Sequence, residues 1–158
     1  MKKLLSVIMT AVMLIGITPT AIPQANEPYK LTELVLNSQN IPLLHYYTDL
    51  EKVYLNPGSY SDFSDDEIMQ ISLVPKLKEL RMFVPIQISA HWPYRDITPF
   101  GSLTNLEVLS FRNIRVTDIS ALSNLVNLEV LILNDARVTD VSALSGLTKL
   151  KYLDLSSH

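Results

Sequence analysis

Asp96-Ile97-Thr98-Pro99-Phe100, Asp118-Ile119-Ser120-Ala121-Leu122 and Asp140-Val141-Ser142-Ala143-Leu144 are three versions of one phrase, and each is followed by the same leucine ladder. The ladders are Leu103/Leu106/Leu109/Phe111, Leu125/Leu128/Leu131/Leu133 and Leu147/Leu150/Leu153/Leu155. From Asp96 to Asp118 is 22 residues, and from Asp118 to Asp140 is 22 again. A fixed period of this length marks a chain built from stacked supersecondary units, because one unit alone cannot cover its own apolar edge.

Working back from this stretch, the short form of the ladder occurs six times: Leu31/Leu34/Leu36, Leu50/Val53/Leu55, Leu77/Leu80/Met82, Leu106/Leu109/Phe111, Leu128/Leu131/Leu133 and Leu150/Leu153/Leu155. Its last half alternates with period two, as a half-buried strand does. One strand per unit, each running the same way, predicts a parallel sheet on the inner side of a solenoid. Before each ladder, apolar residues recur every three positions, as in Ile68/Ile71/Val74 and Ile119/Leu122/Leu125. That spacing suits a 3₁₀ or short helical return with one apolar edge turned inward. The aspartates opening the returns are expected to cap them through their carboxylates rather than to do chemistry. The expected fold class is therefore an α/β solenoid. It has a parallel sheet on the concave face and short returns on the convex face.

The crossings are uneven. Phe111 to Asp118 takes 7 residues, but Leu55 to Glu67 takes 12 and Met82 to Asp96 takes 14. The extra residues fall after the strand and include Gly58–Ser64 and Ala90–Arg95. Repeat proteins accept insertions in such turns.

The N-terminus reads as an export signal. Met1-Lys2-Lys3 is basic, Leu4 to Ile17 is largely apolar, and Thr18-Pro19-Thr20-Ala21 breaks the run. The apolar run is shorter than the roughly 20 residues a membrane span needs. Residues 1–25 are thus expected to be a signal segment, cleaved near 21 or 25, or else retained as an anchor. Residues 26–158 are expected to form one repeat domain of about six units, secreted or held at the cell surface, without a C-terminal cap.

Composition limits the functions. The 158-residue chain has a net charge of −3, which disfavours binding to nucleic-acid phosphates. It has no cysteine, so disulfides, thiolate metal sites and cysteine nucleophiles are excluded. Its three histidines are His45, His91 and His158, too dispersed to suggest a metal site or triad. The acidic turn Asp62/Asp65/Asp66/Glu67 lacks the alternating ligands of a calcium loop. No catalytic residues, metal ligands or cofactors are assigned, and no enzyme activity is expected.

The phrase Asp96-Ile97-Thr98-Pro99-Phe100, the 22-residue period and the Leu-x-x-Leu-x-Leu strands resemble bacterial leucine-rich-repeat proteins of the internalin type. That resemblance implies an exported solenoid binding a protein ligand on its concave sheet. It also implies a ladder asparagine at 114, 136 and 158, where this chain has Ile114, Ala136 and His158. Asn113 and Asn134 lie nearby, so the backbone contacts of such a ladder must be made otherwise or be weaker.

Residues alternating with the buried leucines should line the open face. Tyr54, Arg81, Phe83, Val108, Arg112, Val130, Ile132 and Tyr152 are the candidate ligand contacts, forming an apolar and aromatic stripe flanked by arginines. The inserted Trp92, Tyr94 and Arg95 are a second candidate contact. The partner expected is a protein of unspecified identity, with the uncapped C-terminal edge also open to self-association. The alternative is a truncated N-terminal fragment of a larger surface protein with a structural role only.

Overall fold

A computed structural model describes residues 33–36, 44, 49–55, 65–84 and 96–156. Residues 1–25, expected to be a signal segment, lie outside the described residues. So do Trp92, Tyr94 and Arg95, and His45, His91 and His158.

Six short strands, β1 (Glu33–Leu36), β2 (Lys52–Leu55), β3 (Glu79–Phe83), β4 (Val108–Arg112), β5 (Val130–Leu133) and β6 (Tyr152–Asp154), form one sheet. They lie in chain order, β1 to β6, and every pair is parallel. Parallel neighbours need a crossover, and here the returns supply it. Between β2 and β3 runs an α-helix, Asp65–Ser72. Later crossings contain 3₁₀ turns at Thr98–Ser102, Ser120–Asn124 and Ser142–Leu144. The period-three spacing therefore produced 3₁₀ geometry before β4, β5 and β6 and an α-helix between β2 and β3.

The core is a stack of equivalent positions. Leu34, Val53, Leu80, Leu109 and Leu131 form one buried column, and Leu55, Met82, Phe111 and Leu133 form the next. Leu50, Leu77, Leu106 and Leu128 close the entry to the strands, while Ile71, Phe100 and Leu122 come from the returns. Phe100 meets Phe111 edge to face, with centroids 5.2 Å apart, a favoured aromatic arrangement. Each fully buried Leu, Ile or Phe contributes about 1.5–3 kcal/mol. That contribution depends on a neighbour on both sides. Leu131 is fully buried, whereas its equivalent Leu153 on β6 is 46 % exposed.

Backbone bonding repeats with the units. At the entries to β3, β4, β5 and β6 two successive N–H groups share one carbonyl of the preceding unit. Glu107 and Val108 donate to Lys78 O (2.8 and 2.9 Å), and Glu129 and Val130 donate to Glu107 O (2.8 and 3.0 Å). Lys151 and Tyr152 donate to Glu129 O (2.8 and 3.1 Å).

The aspartates act as expected, at a slightly different position. Asp96, Asp118 and Asp140 each accept the N–H two residues on, from Thr98, Ser120 and Ser142, at 2.8 Å. The residues in the capping position are Ile97, Ile119 and Val141. The carboxylates therefore close a turn just before the 3₁₀ segment. These bonds to the following serine hold Asp118 and Asp140 below the ordinary carboxylate range.

The missing ladder asparagine is replaced in two ways. Ile114 and Ala136 are buried as apolar core. Asn113, with φ 61°, instead donates its side-chain amide to Val84 O of the previous unit at 2.6 Å. Its structural counterpart 22 residues on is Asp135, also left-handed at φ 62°. Asn and Asp tolerate this region better than most residues.

A second seam runs along the turns before the strands. Asn105 Nδ2 donates to Pro75 O and Asn127 Nδ2 to Thr104 O, each at 2.9 Å, and Lys149 Nζ donates to Asn127 Oδ1 at 2.7 Å. Beside it, Lys78 pairs with Glu51 at 3.1 Å and Lys151 with Glu129 at 2.8 Å. Exposed pairs of this kind add little stability individually, but they repeat at equivalent positions and so favour one stacking register.

Candidate functional site

Register turns the open face of the sheet into rows of side chains running across the strands. The first row is Glu33, Lys52, Glu79, Val108, Val130 and Tyr152. The second is Val35, Tyr54, Arg81, Ser110, Ile132 and Asp154. At the far end of the strands Phe83 lies directly beside Arg112. All eight candidate contact residues therefore share one face, but they do not form one continuous stripe.

The face divides near β4. Over β2 and β3 it is polar, and Glu79 is the hub. Its carboxylate accepts the Tyr54 hydroxyl at 3.1 Å and Arg81 Nε, with Lys52 Nζ 3.9 Å away. Partial burial and the adjacent Glu79 carboxylate push the Tyr54 phenol above its ordinary value. Tyr54 thus belongs to a charged network, not to the apolar stripe in which the sequence placed it. Glu33 and Glu79 flank Lys52 in one row, with two strand spacings (roughly 9–10 Å) between them. Glu79 is committed to its partners, and the pair has the character of an ionic lattice.

Over β4 to β6 the first row becomes apolar. Val108 and Val130 are half-buried and Tyr152 is 53 % exposed. Ile132 departs from its expected exposure. It faces the open side by alternation, yet it is only 8 % exposed, and Ser110 beside it is also buried. Neighbouring side chains cover the middle of the face. The accessible apolar surface is carried by Phe83, 57 % exposed, by Tyr152, and by Val35 on β1.

Polar residues near β5 and β6 are bonded to one another. Asn134 Nδ2 donates to Asp154 Oδ2 and Ser156 Oγ, both at 2.9 Å. Asp154 also accepts the Ser156 N–H at 2.9 Å. The Ser156 contacts and then the Asn134 amide lower the Asp154 carboxyl to about 2.

On the opposite side, a groove of about 500 Å³ lies between the second and third 3₁₀ turns, with Asp118, Ser120, Asp140 and Ser142 in its wall. Both carboxylates already accept backbone N–H groups, so this groove is a seam between units. Among the described residues no three His, Asp or Glu side chains converge to hold a metal ion. Nor, among them, is any helix long and apolar enough to cross a membrane.

The described geometry can be set beside known proteins. The family of "Leucine Rich repeats (2 copies)" matches residues 126–158. No curated protein sequence matches the chain. Among solved structures, a leucine-rich-repeat protein from Leptospira interrogans shares 18% identity with a TM-score of 0.53, over 84% of this chain and 30% of that one. Internalin C2 from Listeria monocytogenes shares 20% identity with a TM-score of 0.42, over 81% of this chain and 68% of that chain. Another Listeria monocytogenes internalin shares 24% identity with a TM-score of 0.47, over 81% of this chain and 48% of that one. The chain thus spans about half of the second internalin and under a third of the Leptospira protein. The fold is a leucine-rich-repeat solenoid.

Proposed function

We propose that this chain is an exported protein-binding module whose contact surface is the open face of its sheet. The observation that carries this reading is the combination of exposed Phe83 and Tyr152 with exposed Arg81 and Arg112 on strands held in register by a packed core. Large aromatics and arginine contribute disproportionately at interfaces. A rigid backbone also lowers the entropy lost on binding. The polar half around Glu79 supplies orientation and the apolar half supplies buried area. Export is supported by the basic and then apolar order of residues 1–21. Acid/base chemistry finds no support on this face, because Glu79 is engaged by a tyrosine and two cations.

Site-specific photocrosslinking tests the surface. A benzophenone side chain is placed at position 83, 152 or 123, the last on a return. The protein is then exposed to extracellular protein of the cells it meets. Discrete adducts from 83 and 152, but not from 123, are expected. Adducts from 123 alone, or none from the sheet positions, would refute the open face as the contact surface. Fractionating the natural protein and weighing it intact tests export: loss of about 21–25 residues with recovery outside the cytoplasm is expected.

A further inference from the structure

We propose, resting on the open-face reading above, that Phe83 and Arg112 form a single anchor for an acidic and apolar protein segment. In it a carboxylate lies on the guanidinium and an apolar side chain on the phenyl ring.

Charge accounting on the face points to this pair. Lys52 and Arg81 are held by Glu79, Lys76 by Asp49, Lys78 by Glu51 and Lys151 by Glu129. Arg112 has no ion pair or side-chain hydrogen bond among the described residues. It is thus the one open-face cation in that set with its donors uncommitted. Its acidic neighbour across the sheet, Asp154, attracts it electrostatically but makes no ion pair with it and is hydrogen-bonded to Ser156 and Asn134. A guanidinium presents paired N–H groups in a plane, a geometry that matches a carboxylate.

Phe83 supplies the second half. It is the Cα partner of Arg112 in the parallel register and has more than half its surface exposed. Adjacent strands lie about 4.8 Å apart, so one short segment can reach both side chains. An apolar ring beside an uncommitted cation selects a carboxylate carried next to an apolar side chain. A fully charged polyanion matches less well, because Glu79 and Asp154 lie on the same face and the whole chain is acidic.

The test uses the full chain and arrays of 15-residue peptides in which Leu, Phe and Tyr alternate with Asp/Glu, with Asn/Gln or with Lys. The chain is expected to bind the acidic set at least tenfold better than the other two. Arg112→Gln should abolish that preference, and Arg112→Lys should retain part of it. Phe83→Ala should weaken all three sets about fivefold or more without changing their order. Circular dichroism should be unchanged, because both side chains are exposed. An acidic set that binds no better than the others, or a preference that survives Arg112→Gln, overturns the proposal. If crosslinks still arise from positions 83 and 152 in that case, the open-face reading stands and only the partner chemistry fails. If those crosslinks are absent, the wider reading fails.

Discussion

Replacing Asn113 should expose how much of the stack rests on one turn residue. Asn113 sits in the left-handed region at φ 61° and is almost fully buried, and its amide reaches Val84 O at 2.6 Å. Asn113→Ala removes the donor and leaves that carbonyl short of a partner, a loss of about 1–3 kcal/mol. It also puts an alanine where a Cβ is disfavoured by about 1–2 kcal/mol. Asparagine tolerates this region, so most of that second cost is new, and the two together amount to about 2–5 kcal/mol. Asn113→Gly suffers only the first effect and should cost about 1–3 kcal/mol, less than the alanine variant. The predicted order is therefore wild type, then Gly, then Ala. Urea denaturation followed by far-ultraviolet circular dichroism measures it, with the slope checked for constancy between variants. An alanine variant within about 0.5 kcal/mol of the parent would refute the reasoning. So would a glycine variant less stable than the alanine one.

Three further outcomes are expected. Leu131→Ala should cost about 2–5 kcal/mol, and the equivalent Leu153→Ala clearly less, because Leu131 is enclosed on both sides and Leu153 is not; equal losses in chemical denaturation would contradict nearest-neighbour packing. A Cβ at Gly101 would lie 2.7 Å from Ala121 O, a backbone atom, so Gly101→Ala should lower the melting temperature, and an unchanged value would show that the returns slide apart freely. The third outcome concerns pH. Asp118, Asp140 and Asp154 have folded-state values below the ordinary 3.8, with Asp154 at about 2. Their contribution is present above about pH 4 and lost as pH falls toward 2, because the unfolded chain then takes up protons first. Asp154→Asn should flatten the fall in melting temperature between those pH values, and an unaltered slope would exclude this residue as a source.

The fold was legible because its signal is periodic. Leu109, Leu131 and Leu153 announce the strands, and Ile119, Leu122 and Leu125 announce the returns, through spacing alone. The candidate site was legible only as a choice of face. Alternation placed Tyr54 and Ile132 on the open side of the sheet, but exposure depends on neighbours on adjacent strands, many residues away in the chain. Glu79 captured the Tyr54 hydroxyl, and the surrounding side chains covered Ile132. The seam of Asn105, Asn127 and Lys149 was missed, although its residues recur every 22 positions. That signal sits at polar positions, outside the apolar period and away from the ladder asparagine of the repeat. The exposed pairing of Phe83 with Arg112 needed the register itself, since 29 residues separate them in the chain.

That seam has a consequence for how such a chain can change length. Asn105 and Asn127 are equivalent, as are Glu107 and Glu129. Excising residues 118–139 would join Thr117 to Asp140 and bring Lys149 to Asn105 and Lys151 to Glu107. Each lysine would then meet the same kind of partner that it meets now in Asn127 and Glu129. The module is thus interchangeable at its borders, and deletion or duplication of one 22-residue cassette should preserve a cooperative fold by calorimetry. Loss of cooperative melting in the excised chain would show that the borders are not equivalent. Where they are, recombination can alter the width of the open face one strand at a time without redesigning its joints.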